Sequence, residues 1–207
     1  MSYTHGAHRR EPWNKGKLIG QKLPLKPHEV WSIRVRLDMA NNVRDLALFN
    51  LAIDSKLRGC DLVKLMVRDV AHGTEVMSRT KVIQQKTKRP VSFEITPKTK
   101  DALSEWIKVK NLCSFDYLFP SSYQNKGYLE PRHYARLVKK WICSIGLDST
   151  AYGTHSMRRT KVALIYRQTK NLRAVQILLG HRSLESTVRY LGVEIDDALE
   201  LSEHAEI

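Results

Sequence analysis

Between Val76 and Ile95 the apolar period of this chain changes, and nothing constrains its fold more. In "RPVSFEI" Val91, Phe93 and Ile95 alternate. "VMSRTKVIQQ" precedes it, and Gln85-Lys86-Thr87-Lys88 lies between the two as a turn, the pattern of a β-hairpin. Elsewhere the period is that of helices. "HEVWSIRVRLDMA" follows Pro27, and "NVRDLALFNLAIDSKL" places Leu46, Phe49, Leu51, Ala52 and Ile53 on a broad apolar face. After Pro97 come "PKTKDALSEWIKVK", "PRHYARLVKKWICSIG", "HSMRRTKVALIYRQT", "NLRAVQILLG" and "SLESTVRYLG". "RGCDLVKLMVRDV" reads as a short helix running into a first strand. A two-residue period and a 3.6-residue period cannot exchange places. The expectation is therefore a mostly helical α+β domain with a small three-stranded antiparallel sheet.

The 207 residues suffice for one well-buried core, and 42% apolar content excludes a disordered chain. Their charge is uneven. The chain holds 35 Lys and Arg against 21 Asp and Glu, a formal +14. The last segment, "VEIDDALELSEHAEI", contains six acids and no Lys or Arg, with Ile195, Ala198 and Leu199 along an apolar stripe. Setting it aside leaves fifteen acids against all 35 bases in residues 1–193, so the body stands near +20. Such an excess favours a polyanionic partner, nucleic acid before anionic membrane. Residues 1–26 carry Arg9, Arg10, Lys15, Lys17, Lys22 and Lys26 against the single acid Glu11, broken by Gly and Pro. This stretch is read as a basic flexible arm lying along phosphates. The division expected is an arm at 1–26, a body at 27–193 and an acidic tail helix at 194–207.

Cys60, Cys113 and Cys143 are an odd set without CxxC spacing, which argues against a zinc site or disulfide scaffold and suits a reducing compartment. No apolar run is long enough to span a bilayer and no signal core opens the chain. A cytoplasmic, nucleoid-associated protein is expected.

A metal-dependent nuclease needs clustered carboxylates, and Asp54, Asp61, Asp69 and Asp101 are scattered singly. Cutting DNA without a metal requires fixed cations on the phosphate, a hydroxyl nucleophile and a proton donor for the leaving oxygen. "THSMRR" puts His155 and Arg158 on one helix face, with Thr154 as a candidate cap and Arg159 turned about a hundred degrees away. "LGHRSLESTVRY" follows. His181 sits at a turn, Ser183 is a helix cap, and Tyr190 lies two turns into the helix. Neither stretch is specific alone. Joined in order with an upstream Arg and a hairpin Lys, they are.

The joint pattern resembles the catalytic domain of the tyrosine recombinase (phage integrase) family, whose chemistry type IB topoisomerases share. The resemblance covers about residues 27–193. "KLRGCDLVKLMVRDV" matches the family's first arginine motif, at Arg58, with Asp61 where a supporting acid often stands. "QQKTKRPVSF" matches the hairpin lysine at Lys86, with Lys88 two residues on. "HSMR", "LGH" and "STVRY" supply His155, Arg158, His181 and Tyr190.

The resemblance implies that Tyr190 attacks the scissile phosphate to form a 3′-phosphotyrosyl link. Arg58 and Arg158 would clamp the non-bridging oxygens, and Lys86 would protonate the departing 5′ oxygen. His155 would assist proton transfer from the tyrosine, and His181 would hydrogen-bond the phosphate. No cofactor, metal or ATP is expected. Arg9, Arg10, Lys15, Lys17 and Lys88 are expected on double-stranded DNA. The arm ahead of the first helix resembles the small stand-alone members that lack a separate N-terminal core-binding domain, encoded by bacteria, phages or mobile elements. The implied assembly is a homo-tetramer on DNA, with the C-terminal tail on a neighbouring subunit and an accessory DNA-bending protein. Site-specific recombination is the expected activity: integration, excision or inversion. The alternatives are a relaxing topoisomerase with the same site and a non-catalytic DNA-binding regulator on the same fold.

Overall fold

The computed structural model describes residues 21–73, 75–122, 127–192 and 203. Eight helices occupy most of them: α1 (Pro27–Met39), α2 (Val43–Ser55), α3 (Gly59–Leu62), α4 (Pro97–Lys110), α5 (Pro131–Ser144), α6 (Thr154–Thr169), α7 (Leu172–Leu179) and α8 (Leu184–Leu191). Proline opens α1, α4 and α5. Its fixed φ suits the first helical turn, where the missing N–H has no intrahelical partner anyway. Asn42, Asn171 and Ser183 cap α2, α7 and α8, each side chain accepting from a backbone N–H three residues on. Gly153, not Thr154, is the N-cap of α6, and its N–H donates to Ser156 Oγ at 3.0 Å.

Helix α2 is the hub of the fold. From Ala47 to Ser55 every residue is buried, as expected of a helix packed on all sides. It rests on α1, α4 and α6. Phe49 meets Trp141 of α5 edge-on at 5.5 Å, and Trp141 Nε1 donates to Asp45 Oδ2 at 3.1 Å. This core extends through Ile33, Leu103, Phe119, Val138 and Ile142. A second, smaller core joins α6, α7 and α8 around Val162, Tyr166, Val175 and Leu179, and Tyr190 packs against it.

Four charged side chains tie α6 and Glu94 to the end of α2. Lys161 of α6 pairs with Asp54 of α2 at 2.7 Å and with Glu94 at 2.5 Å, and the fully buried Lys56 ammonium pairs with Glu94 at 2.8 Å. Burial alone would raise the Asp54 carboxyl, but hydrogen bonds from Lys161, Thr99 and Thr96 overcome it and hold the group below its ordinary value.

The hairpin forms where the alternation predicts it. β3 (Arg79–Ile83) pairs antiparallel with β4 (Pro90–Glu94), Val82 opposite Val91 and Thr80 opposite Phe93. The expected three-stranded sheet does not form among the described residues. Two separate two-stranded ladders stand in its place, the second made of β1 (Ala71–His72) and β2 (Glu75–Val76). "LMVRDV" supplies the reason. Asp69 Oδ2 accepts from Met66 N at 2.8 Å and turns Val67–Asp69 into a 3₁₀ helix, leaving two residues for the strand. The side chain has captured a donor that a longer ladder would need.

Residues 21–26, the end of the expected flexible arm, are pinned to the body. Leu23 N donates to the Ala151 carbonyl at 3.1 Å, Leu25 N donates to Thr160 Oγ1 at 3.0 Å, and Leu25 is buried. Arg9, Arg10, Lys15 and Lys17 lie outside the described residues, as does the expected tail helix apart from Glu203. Among the described residues no helix is long and apolar enough to cross a membrane.

Candidate active site

Three chain reversals assemble the site. The first is the end of α2. Lys56 adopts the left-handed conformation with φ of 56°, so the chain doubles back through Leu57 and presents Arg58 at the extended N-cap of α3. Gly59 follows because a Cβ there would stand 3.1 Å from the Tyr134 ring. Arg58 Nη1 donates to Gln84 Oε1 at 2.5 Å.

The second reversal is the hairpin turn. Gln84 N–H donates to the Arg89 carbonyl and Lys88 N–H to the Gln84 carbonyl, which closes the loop. Lys88 sits in the left-handed region at φ 54°. Lys86 and Lys88 are both exposed, and neither side chain makes a hydrogen bond or ion pair among the described residues. The structure therefore leaves the expected lysine at the tip of the loop and does not seat it among the arginines. Asp61 Oδ1 accepts from Gln85 N–H at 2.9 Å, while its Oδ2 is buried without a partner among the described residues. The supporting acid thus holds the hairpin.

The third reversal is Gly180, which closes α7 at φ 65°. A Cβ there would lie 2.6 Å from Val91 Cγ2, so both the backbone angle and the close approach to β4 require glycine. The turn delivers His181. Its Nδ1 lies 3.2 Å from Thr187 Oγ1, and Thr187 is fully buried in α8.

Arg158 sits at the meeting of all three. Only 3% exposed, it donates from Nε to the Lys56 carbonyl and from Nη2 to the Leu179 carbonyl, both at 2.8 Å. The guanidinium lies 5.4 Å from the centre of the Tyr190 ring, within cation–π range. His181 stands edge-on to the same ring at 5.3 Å.

Arg159 does not point away, as its angle on the helix suggests. It too reaches the Tyr190 ring, at 5.6 Å, and donates from Nη1 to the Lys22 carbonyl at 2.8 Å and from Nη2 to the Leu191 carbonyl at 3.2 Å. Helix α8 and the strap at Gln21 and Lys22 wrap around α6 far enough to occupy both faces. A groove of about 520 Å³ opens here, lined by Gln21, Lys22, His155, Arg159, Ser186, Arg189 and Tyr190.

Electrostatics set the protonation states. Burial pushes the Tyr190 phenol up to about 12 against the opposing pull of Arg158, Arg159 and Arg58. Its hydroxyl is buried with no hydrogen-bond partner among the described residues. Burial, then the charges of Arg158 and Arg58, press His181 down to about 4. The same causes, with Arg159, lower His155, whose residue surface is otherwise exposed at the groove. Both imidazoles are driven toward their neutral forms, and the phenol toward its protonated one. Arg58, His155, Arg158, His181 and Tyr190 thus share one electrostatic neighbourhood. Gln84, Arg159 and Thr187 belong to it as well, unmarked in the motif reading.

The chain matches the model of the phage integrase family over residues 25–195. It is 30% identical over 155 residues to a probable integrase/recombinase YoeC of Bacillus subtilis (strain 168), covering 75% of this chain and 81% of that protein. With a tyrosine recombinase XerC of Actinobacillus pleuropneumoniae serotype 7 it shares 29% over 191 residues, 91% of this chain but 57% of that one. Among solved structures, XerA recombinase superposes with a TM-score of 0.73 at 18% identity, covering 91% of this chain and 67% of that one. XerH bound to palindromic difH substrate in a post-cleavage complex superposes at 0.69 with 19% identity, over 88% and 53%. These two likenesses carry the fold, a mostly helical α+β domain. With the family match spanning most of its length, the chain belongs to the phage integrase family, that of the tyrosine recombinases.

Proposed function

We propose that this protein is a site-specific DNA recombinase that cuts and rejoins strands through a 3′-phosphotyrosyl intermediate on Tyr190. One observation carries the reading. Among the described residues, Tyr190 is the phenol whose ring lies within reach of two guanidinia, Arg158 and Arg159, and it sits beside a neutral imidazole at the mouth of a groove.

In the proposed reaction Tyr190 Oη attacks phosphorus. The P–O bond to tyrosine forms as the P–O5′ bond breaks, so bond energy is conserved and the released 5′-hydroxyl can reverse the step without ATP. Neutral His155 takes the phenolic proton, which the raised Tyr190 value makes necessary at pH 7. Arg58 and Arg158 hold the non-bridging oxygens. The Nη1 edge of Arg158 has no protein hydrogen bond among the described residues, and that edge would serve the phosphate. His181 donates to the same group from the nitrogen not facing Thr187. Lys86, free at the loop tip, swings to protonate the leaving oxygen. The arginines supply the charge stabilisation that a metal would otherwise give. Cleavage should therefore proceed in EDTA, and a requirement for added Mg²⁺ would overturn that part.

Arg9, Arg10, Lys15, Lys17 and Lys88 are proposed to contact phosphates. Replacing the four arm residues should flatten the salt dependence of binding by roughly 0.9 per lost contact on a log–log plot. Residues 194–207 are proposed to dock on a neighbouring subunit of a DNA-bound tetramer, with an accessory bending protein as a further partner. Sedimentation of the DNA complex with and without that segment tests the assembly.

The deciding experiment is covalent trapping on a nicked suicide duplex containing the recombination site. Wild type should give a protein–DNA adduct and Tyr190→Phe none. An adduct formed by Tyr190→Phe would remove the nucleophile assignment. Relaxation of any supercoiled plasmid without exchange between sites would indicate a topoisomerase instead, and no adduct from wild type a regulator.

A further inference from the structure

Gln84 is fully buried at the end of β3, yet its amide is the most connected polar group of the site. Its Oε1 accepts from Arg58 Nη1 at 2.5 Å and from Thr87 Oγ1 at 2.9 Å. Its Nε2 donates to the Leu179 carbonyl at 3.2 Å, the same oxygen that takes Arg158 Nη2 at 2.8 Å. One neutral side chain therefore touches the first arginine, the loop that carries Lys86, and the carbonyl that fixes the second arginine. That carbonyl precedes Gly180 and His181, and the Gln84 amide lies against Gly180 itself.

The chemistry of the group matters as much as its place. A carboxylate at this position would also accept from Arg58 and Thr87, but it would neutralise the guanidinium that the phosphate needs. It could not donate to Leu179. A hydrocarbon would fill the space and leave the Leu179 carbonyl with one donor fewer and the Thr87 hydroxyl free. The amide satisfies two donors through its oxygen and one acceptor through its nitrogen, two separate atoms, without adding charge.

We propose that Gln84 is a positioning residue that couples the Lys86 loop to the arginine clamp, so that the proton donor and the phosphate ligands take up their places together. The inference rests on the recombinase reading above. Thr87 is the loop's own attachment to it, next in sequence to Lys86. The Asp61 bond to Gln85 N–H and the Gln85 amide's donation to the Cys60 carbonyl at 3.1 Å anchor only the near side of the turn. On the far side Thr87 is the side-chain anchor, beside the backbone bonds of Lys88 and Arg89 to Gln84.

The test compares single-turnover cleavage of an ordinary suicide duplex with cleavage of one bearing a 5′-bridging phosphorothiolate, whose leaving sulfur needs no proton. Thr87→Val cuts only the loop's tie. It should slow ordinary cleavage about tenfold, the size of one lost hydrogen bond, and the phosphorothiolate should restore wild-type rate. Gln84→Leu disturbs both arms. It should slow cleavage of both substrates, with only partial rescue, while DNA affinity and the thermal midpoint of Thr87→Val stay at wild type. Should Gln84→Leu fail to fold, Gln84→Glu provides the second probe, with normal folding and reduced cleavage of both substrates. If Thr87→Val cleaves ordinary DNA at the wild-type rate, or the phosphorothiolate leaves it slow, the coupling is overturned. Absence of any adduct from wild type would instead fail the recombinase reading, so the two failures are distinguishable.

Discussion

The Arg158 guanidinium stands 5.4 Å from the centre of the Tyr190 ring, while the Tyr190 hydroxyl is buried without a hydrogen-bond partner among the described residues. Ring and cation attract, yet the oxygen proposed to attack phosphorus is left unsatisfied. Tyr190, the proposed nucleophile, is held by its ring face and not by its hydroxyl, so no hydrogen bond of its own among the described residues opposes its proposed approach to a phosphate.

Arg159 makes this arrangement two-sided, and its bonds to the Lys22 and Leu191 carbonyls close the end of α8. Arg159→Ala should lower cleavage about tenfold and release residues 21–23 from the body, through the loss of two charge-assisted hydrogen bonds. Arg159→Lys should recover little, since an ammonium cannot span both carbonyls. Hydrogen exchange at Lys22 and Leu23, read alongside cleavage, checks both effects.

Stability should fall on the acid side of neutrality. His181 is pressed to about 4 in the folded protein and recovers its ordinary value near 6.5 when unfolded. Between those values the unfolded chain binds more protons, so stability rises with pH across the window and is lost as pH falls through it. His155 adds to the same trend. Denaturant midpoints measured from pH 4 to pH 7 should slope upward, and His181→Gln should flatten the slope. An unchanged slope would rule out His181 as its source.

Gly180→Ala joins two faults, a left-handed backbone angle and a Cβ 2.6 Å from Val91 Cγ2. The angle alone costs about 1–2 kcal/mol. Thermal unfolding should show at least that loss. Cleavage should fall further than stability accounts for, because His181 is displaced with the turn.

Lys161→Met breaks the buried pairs with Asp54 and Glu94. Removing one partner leaves buried charge uncompensated, at a cost of about 3–5 kcal/mol for a fully buried pair and less here, where Lys161 and Glu94 are partly exposed. The double change Asp54→Asn with Lys161→Met should be milder than the sum of the two alone. Equilibrium urea unfolding of the four proteins gives the coupling.

Much of this was legible beforehand. Prolines 27, 97 and 131 mark helix starts, the alternation of Val91, Phe93 and Ile95 marks β4, and Ser183 and Gly180 punctuate the nucleophile's corner. Each is a local signal, settled by backbone angles and side-chain period within a few residues. Gln84 was within reach too: it continues the inward face of Thr80 and Val82, and a polar residue on an inward face needs a partner. The separation of the sheet into two ladders was not, since whether ribbons join edge to edge depends on what packs beside them.

By itself, then, the sequence determined the helices, the β3–β4 hairpin, their order and the residue types able to handle a phosphate. Tertiary structure alone decided which groups hold those residues. Arg158 is fixed by the carbonyls of Lys56 and Leu179, one of them 102 positions away. Arg159 is drawn into the site by the carbonyls of Lys22 and Leu191. Every residue has a carbonyl, so no letter in the chain marks these four, and only the folded path brings them to the arginines.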